Sequence, residues 1–149
     1  MKHKTLSSFA MALAIPLALA ATQAPAGGKA FVWTHDDPEL EWSACADWLP
    51  DGCKLTVLQG DPAEPNADVL FRIPANSKLA NHWHTSAERM VLIAGEFHID
   101  FEGQDPVVMK PGTYAYGPAK LNHSAECKDA GDCYLFVAFE EPVDAVPVD

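Results

Sequence analysis

Between Lys54 and Phe139 the chain breaks into short runs of aliphatic, β-branched and aromatic residues, parted by Gly, Pro and Asn turns about every 8 to 12 residues. No stretch repeats its apolar residues at helical spacing. Phe97, Ile99 and Phe101 alternate with His98 and Asp100, so one face of that strand is apolar and the other polar. This pattern predicts an antiparallel sandwich or barrel. The expected strands cover 54–59, 69–73, 82–84, 88–94, 97–101, 107–109, 113–116, 123–127 and 133–139, with 74–80 as a loop.

The flanks read differently. Lys2, His3 and Lys4 precede an uncharged apolar run over 9–21, and small-residue cleavage patterns follow at Ala18-Leu19-Ala20 and Ala24-Pro25-Ala26. That run is shorter than the roughly 20 residues a membrane span needs. Residues 1–26 are therefore expected to be a cleaved Sec-type signal peptide, with a periplasmic or extracellular mature protein. Residues 27–54 are expected to form an N-terminal arm whose Trp33, Trp42 and Trp48 cover the core. Residues 55–140 would be the barrel, and the acidic, Pro-containing 141–149 a loose C-terminal tail. No repeat or second domain is evident.

Formal net charge is −11, and it becomes −13 without 1–26, which carry two lysines and no acid. Such a field repels phosphate backbones and anionic lipid, which argues against nucleic acid or, for the mature form, membrane as partner. The four cysteines, in an exported chain, read as disulfides. Loop lengths favour Cys45 with Cys53 and Cys127 with Cys133, since 128–132 resembles a hairpin tip. A zinc site of four thiolates is the rival, but neither pair has the short spacing usual for one.

The chemistry concentrates in His82-Trp83-His84-Thr85-Ser86-Ala87-Glu88. On a strand His82 and His84 share a face, Trp83 takes the other, and Glu88 can swing in across the following turn. Imidazoles with one carboxylate suit Fe(II), Mn(II), Ni(II), Cu(II) or Zn(II) better than Ca(II). His123 follows two predicted hairpins later, where a barrel could return it to the same point. Met90, Leu92, Phe97 and Ile99 are expected to face the interior beside the ion. Tyr114 and Tyr116 could bring a phenol near it, although strand tyrosines are more often simply half-buried. Arg72, Arg89 and Lys120 are the nearest cations in sequence, with Arg89 and His98 facing outward. His35 is expected at the surface of the arm.

These residues resemble the cupin superfamily. Its first motif runs Gly, five residues, His-x-His, three residues, Glu, six residues, Gly; here His82, His84, Glu88 and Gly95 fit, with Asn76 in place of the leading Gly. In the second motif Gly112, Pro118 and His123 fit, while Lys120 stands for a Gly and Cys127 for an Asn. The His82-Trp83-His84…Glu88 stretch is also similar to that of small single-domain cupins. The resemblance implies an all-β jelly-roll barrel (a double-stranded β-helix) holding one divalent transition metal through His82, His84, Glu88 and His123. Exposed sheet edges in such folds point to a homodimer.

Fold analogy does not fix the reaction. The first expectation is a dioxygenase-like oxidoreductase acting on a small organic molecule, with Glu88 as ligand or catalytic base. An isomerase or lyase would follow from a redox-inert metal. The alternative is a non-catalytic exported binder or sensor of a metal or small molecule.

Overall fold

The computed structural model describes residues 29–148, so the expected signal peptide lies outside the described residues. The first of two units, Met1–Phe31, shows no regular structure in its described residues 29–31. The second, Val32–Asp149, carries eleven strands among the described residues and no helix.

The strands are β1 (Ser43–Ala44), β2 (Lys54–Gln59), β3 (Asp68–Ile73), β4 (Ser77–Trp83), β5 (Glu88–Ala94) and β6 (Phe97–Phe101). They continue as β7 (Val107–Met109), β8 (Tyr114–Gly117), β9 (His123–Cys127), β10 (Cys133–Phe139) and β11 (Val146–Pro147). One sheet runs β1-β2-β3-β10-β5-β8 and the other β11-β4-β9-β6-β7, with antiparallel pairing throughout. This is the antiparallel architecture expected from the turn rhythm, in the jelly-roll form that the cupin resemblance implies. The alternation explains the layering: Cys133, Leu135, Val137 and Phe139 of β10 are buried, and the residues between them are half-buried. The inner faces of both sheets meet in one core, to which Val69, Leu92, Ile99 and Met109 contribute fully buried side chains.

Three expectations need correction. Residues 77–80 are strand, not loop, and β4 ends at Trp83, so His84 stands just beyond it. Residues 141–149 were expected as a loose tail, yet β11 pairs with Trp83 and His82 at the edge of the second sheet. Its Pro147 is tolerated because an edge strand can forgo an N–H. The arm, finally, is partly sheet, since β1 pairs with β2.

Two of its tryptophans do cover other residues. Trp42 packs edge-on against Tyr134, with ring centroids 6.3 Å apart, and Trp48 lies 5.3 Å from the His82 ring. Both expected cysteine pairs stand at disulfide distance, 2.07 Å for Cys45–Cys53 and 2.08 Å for Cys127–Cys133, which favours an oxidising compartment. Among the described residues no helix is long and apolar enough to cross a membrane.

Candidate metal centre

His82 and His123 are direct cross-strand partners between β4 and β9, so their rings lie side by side with centroids 4.3 Å apart. That pairing depends on a β-bulge. The register between β4 and β9 shifts between Leu79 and His82, and Ala80 and Asn81 are both exposed. The extra residue reverses the parity of the strand, so Leu79 and His82, three apart, both line the interior. His84 sits where the chain leaves β4 and crosses to β5 in the other sheet. Glu88 opens β5 and enters from that opposite sheet. It lies beside Gly117, where an added Cβ would come within 3.2 Å of Glu88 Oε2, so the missing side chain leaves room for the carboxyl group.

One ring nitrogen from each of His82, His84 and His123 lies within 4.8 Å of the others. Glu88 completes the cluster, with Oε1 3.3 Å from His84 Nε2 and Oε2 3.6 Å from His123 Nε2. All four residues are buried. Each imidazole has its Nδ1 on a backbone carbonyl: His82 on Ala80 at 2.7 Å, His123 on Leu121 at 3.0 Å, and His84 on Asp144. Donation from Nδ1 fixes the tautomer that leaves Nε2 with a free lone pair, the outer hydrogen bond typical of metal-ligating histidine. Three such nitrogens and a carboxylate fit a first-row divalent transition ion.

Electrostatics point the same way. Burial, reinforced by the neighbouring His123, pushes His82 down to about 4. Burial likewise takes His84 to about 4, against the opposing pull of its Asp144 bond, and lowers His123. Glu88 moves oppositely, pushed up to about 8 by burial and then by the Asp144 carboxylate. The short His–Glu contacts are therefore between neutral groups near pH 7, not ion pairs. Neutral imidazoles are what a metal requires. A cation would invert the balance at Glu88 and draw out its carboxylate.

Behind the cluster lies a cavity of about 50 Å³ with predominantly apolar walls that include Leu49, Phe71, Met90, Phe97 and Ile99. Met90, Phe97 and Ile99 thus sit where the alternation placed them. Leu92 is buried but does not line the cavity. Tyr114 and Tyr116 are 59% and 53% exposed on the outer face of β8, so no phenol from these residues reaches the cluster. Arg72 pairs with Asp132, Arg89 with Glu140 and His98 with Glu96, all away from it. His35 packs on Tyr134, 4.6 Å between ring centroids. Lys120 acts through its backbone: it adopts φ +62°, as the Gly it replaces would permit, and donates its N–H to the His84 carbonyl at 2.8 Å. Asn76 likewise takes φ +59°.

Sequence reasoning missed Asp144 and Gly117, and it expected Trp48 over the core without placing it against His82. Only the alternation of Val146 and Val148 hinted that the last residues could form a strand.

A jelly roll with His-x-His, Glu and a distal His converging inside it defines a cupin. The family described as ChrR Cupin-like domain matches residues 32–142, and the chain belongs to that family. No curated protein matches it. Among solved structures it is similar to the DMSP lyase DddQ from Ruegeria pomeroyi DSS-3, with TM-score 0.63 and 19% identity over 73% of this chain and 61% of that one. The chain thus spans about three fifths of that lyase. It also resembles the polyketide cyclase RemF from Streptomyces resistomycificus, with TM-score 0.64 and 15% identity over 80% of this chain and 87% of that one. An RmlC-like cupin from Shewanella frigidimarina NCIMB 400 gives TM-score 0.59 and 19% identity, covering 78% and 93%. At these identities the likeness concerns the fold.

Proposed function

We propose that this chain is a metal-dependent cupin that binds one divalent transition-metal ion through His82, His84, Glu88 and His123 and acts on a small molecule, as a dioxygenase-like oxidoreductase. The carrying observation is that all three imidazoles spend Nδ1 on a carbonyl, which leaves the opposite nitrogens free to share one ion. When bound, the ion would supply Lewis acidity and, if redox-active, electrons. Glu88 holds a proton near neutral pH against two imidazole nitrogens, so it can serve as ligand or as proton carrier. Trp48 packs on the His82 ring, and Leu49 and Ala145 give the cavity beside the cluster part of its apolar wall. Lyase and cyclase relatives support an enzyme on this scaffold, and a redox-inert ion would favour their kind of chemistry over oxidation.

The cavity size favours a second reading. About 50 Å³ is far below the roughly 300–1,000 Å³ of common small-molecule sites. It would suit a non-catalytic metal binder, or a substrate that enters only when the covering segments move. Export to an oxidising compartment, a small-molecule partner and a homodimer belong to the same proposal.

Elemental analysis of protein from the exported fraction, followed by an O2-uptake screen, separates the readings. Fe, Mn or Cu with O2 uptake supports the oxidoreductase. Tightly held Zn without turnover supports the binder. Full stoichiometric metal in both His82→Ala and His123→Ala would overturn the site itself.

A further inference from the structure

His82 and His123 each take their Nδ1 partner from two residues earlier, Ala80 and Leu121. Those bonds form as soon as the local backbone does. His84 differs: its Nδ1 partner is the carbonyl of Asp144, sixty positions away. His84 also stands beyond the end of β4, where no strand ladder fixes its backbone. One side of it is held by the Lys120 N–H on its carbonyl. The direction of its ring depends on where the Asp144 carbonyl lies.

That carbonyl is itself held. The Asp144 carboxylate accepts the Thr85 backbone N–H at 2.8 Å with one oxygen and the Thr85 hydroxyl at 2.5 Å with the other. Asp144 therefore grips the residue next to His84 while its own backbone orients the His84 ring. The rest of the segment is anchored on both sides. The buried Ser86 hydroxyl oxygen accepts from Glu140 N–H at 2.8 Å and Glu141 N–H at 3.1 Å, and β11 pairs with β4. Ala145, the next residue, lines the cavity. All of residues 143–148 lie past residue 142, where the family match ends.

We propose that Asp144 is a positioning residue for the metal centre, and that residues 143–148 form a strap that completes it by fixing the tautomer and direction of His84. This rests on the metal-binding reading above, and it adds a requirement that the family match does not contain. Asp144 is not one of the four proposed ligands; its hydrogen bonds run to Thr85 and His84.

The test uses the mature chain with Asp144→Ala, Asp144→Asn and Thr85→Val, titrated with Co(II) and followed by its visible absorption. Asp144→Ala is expected to bind one Co(II) with affinity lowered by roughly 10- to 100-fold, the usual consequence of losing an outer partner of a ligating histidine, and with altered ligand-field bands. Thr85→Val should shift both in the same direction but less, since it keeps the backbone N–H. Asp144→Asn keeps an acceptor for that N–H and a partner for the hydroxyl, so it should restore most of the affinity and the wild-type bands. Imidazole nitrogen NMR without metal supplies a separate readout: Asp144→Ala should change the tautomer signature of His84 and leave those of His82 and His123.

Wild-type affinity, bands and His84 signature in Asp144→Ala, with only a lower melting temperature, would overturn the proposal. So would Asn and Ala variants equally impaired, since charge and not geometry would then be at work. A wild-type chain that takes up no Co(II), while the His84 signature still depends on Asp144, would refute the metal reading and leave the strap.

Discussion

Where β9 ends and β10 begins, the barrel is fastened by Cys127 and Cys133 at disulfide distance. Gly95 packs there so tightly that a Cβ would meet Cys133 Sγ at 2.9 Å, and Arg72 bridges to Asp132 at 2.7 Å. Where β9 begins and β10 ends, the same two strands carry His123 and Phe139, and this end contains the buried His82, His84, His123 and Glu88, with each imidazole bonded to a backbone carbonyl and Glu88 set against two of the imidazoles. One end is closed covalently around apolar residues. The other keeps desolvated polar groups that find their partners within the protein. The covalent fastening thus lies at the opposite end of β9 and β10 from the histidine cluster.

Variants at the two ends should therefore fail in different ways. His123→Ala should lose metal affinity by more than the roughly 100-fold ceiling usual for an outer partner, read as metal retained after desalting. Replacing Cys127 and Cys133 together by Ser should instead leave metal stoichiometry intact and cost roughly 2–4 kcal/mol in denaturant unfolding. Metal loss in the serine pair would break the comparison.

The pH profile sharpens it. The histidines ordinarily titrate at 6.5, and His82 and His84 are held at about 4, so folding disfavours their protonated form. Their stabilising contribution is complete above pH 6.5 and is lost as pH falls toward 4. Glu88 runs the other way, from an ordinary 4.5 up to about 8: its contribution is complete below 4.5 and is lost as pH rises through 8. Three imidazoles outweigh one carboxyl, so with chelator present the melting temperature should rise from pH 4 to about 6.5 and then decline toward pH 9. Saturating metal should abolish the upper decline, as should Glu88→Gln. A flat profile with chelator would contradict buried neutral histidines.

Smaller effects follow. Gly117→Ala crowds Glu88 Oε2 and should cost about 1 kcal/mol and a few-fold in metal affinity, measured by thermal melting and titration. Tyr114→Phe and Tyr116→Phe, on the exposed outer face, should change stability by no more than about 0.5 kcal/mol and leave metal titrations superimposable.

The sequence revealed whatever depends on local period. Alternation in 97–101 and 133–139 marked the inner faces, and turn chemistry marked most strand ends. The spacing of His82, His84, Glu88 and His123 pointed to a cluster that the fold does assemble, from two sheets and the crossing between them. What escaped has no local signature. The bulge at Ala80 and Asn81 reverses strand parity through backbone register, so the simple same-face argument for His82 and His84 reached the right side chains without the geometry that aims them. Asp144 gave no signal because one acid among several in an acidic, Pro-containing segment gains meaning only once Thr85 and His84 lie opposite it. The tyrosines were misjudged because period 2 tells which residues share a face, but not which face is inside.

Pro147 has a consequence for self-association. β11 is the outermost strand of its sheet, and at Pro147 it has no N–H to offer a newcomer. A second chain trying to extend the sheet there would meet an interrupted row of donors two residues long. The strand that closes the sheet beside His82 thereby makes its own border a poor template for strand-to-strand growth.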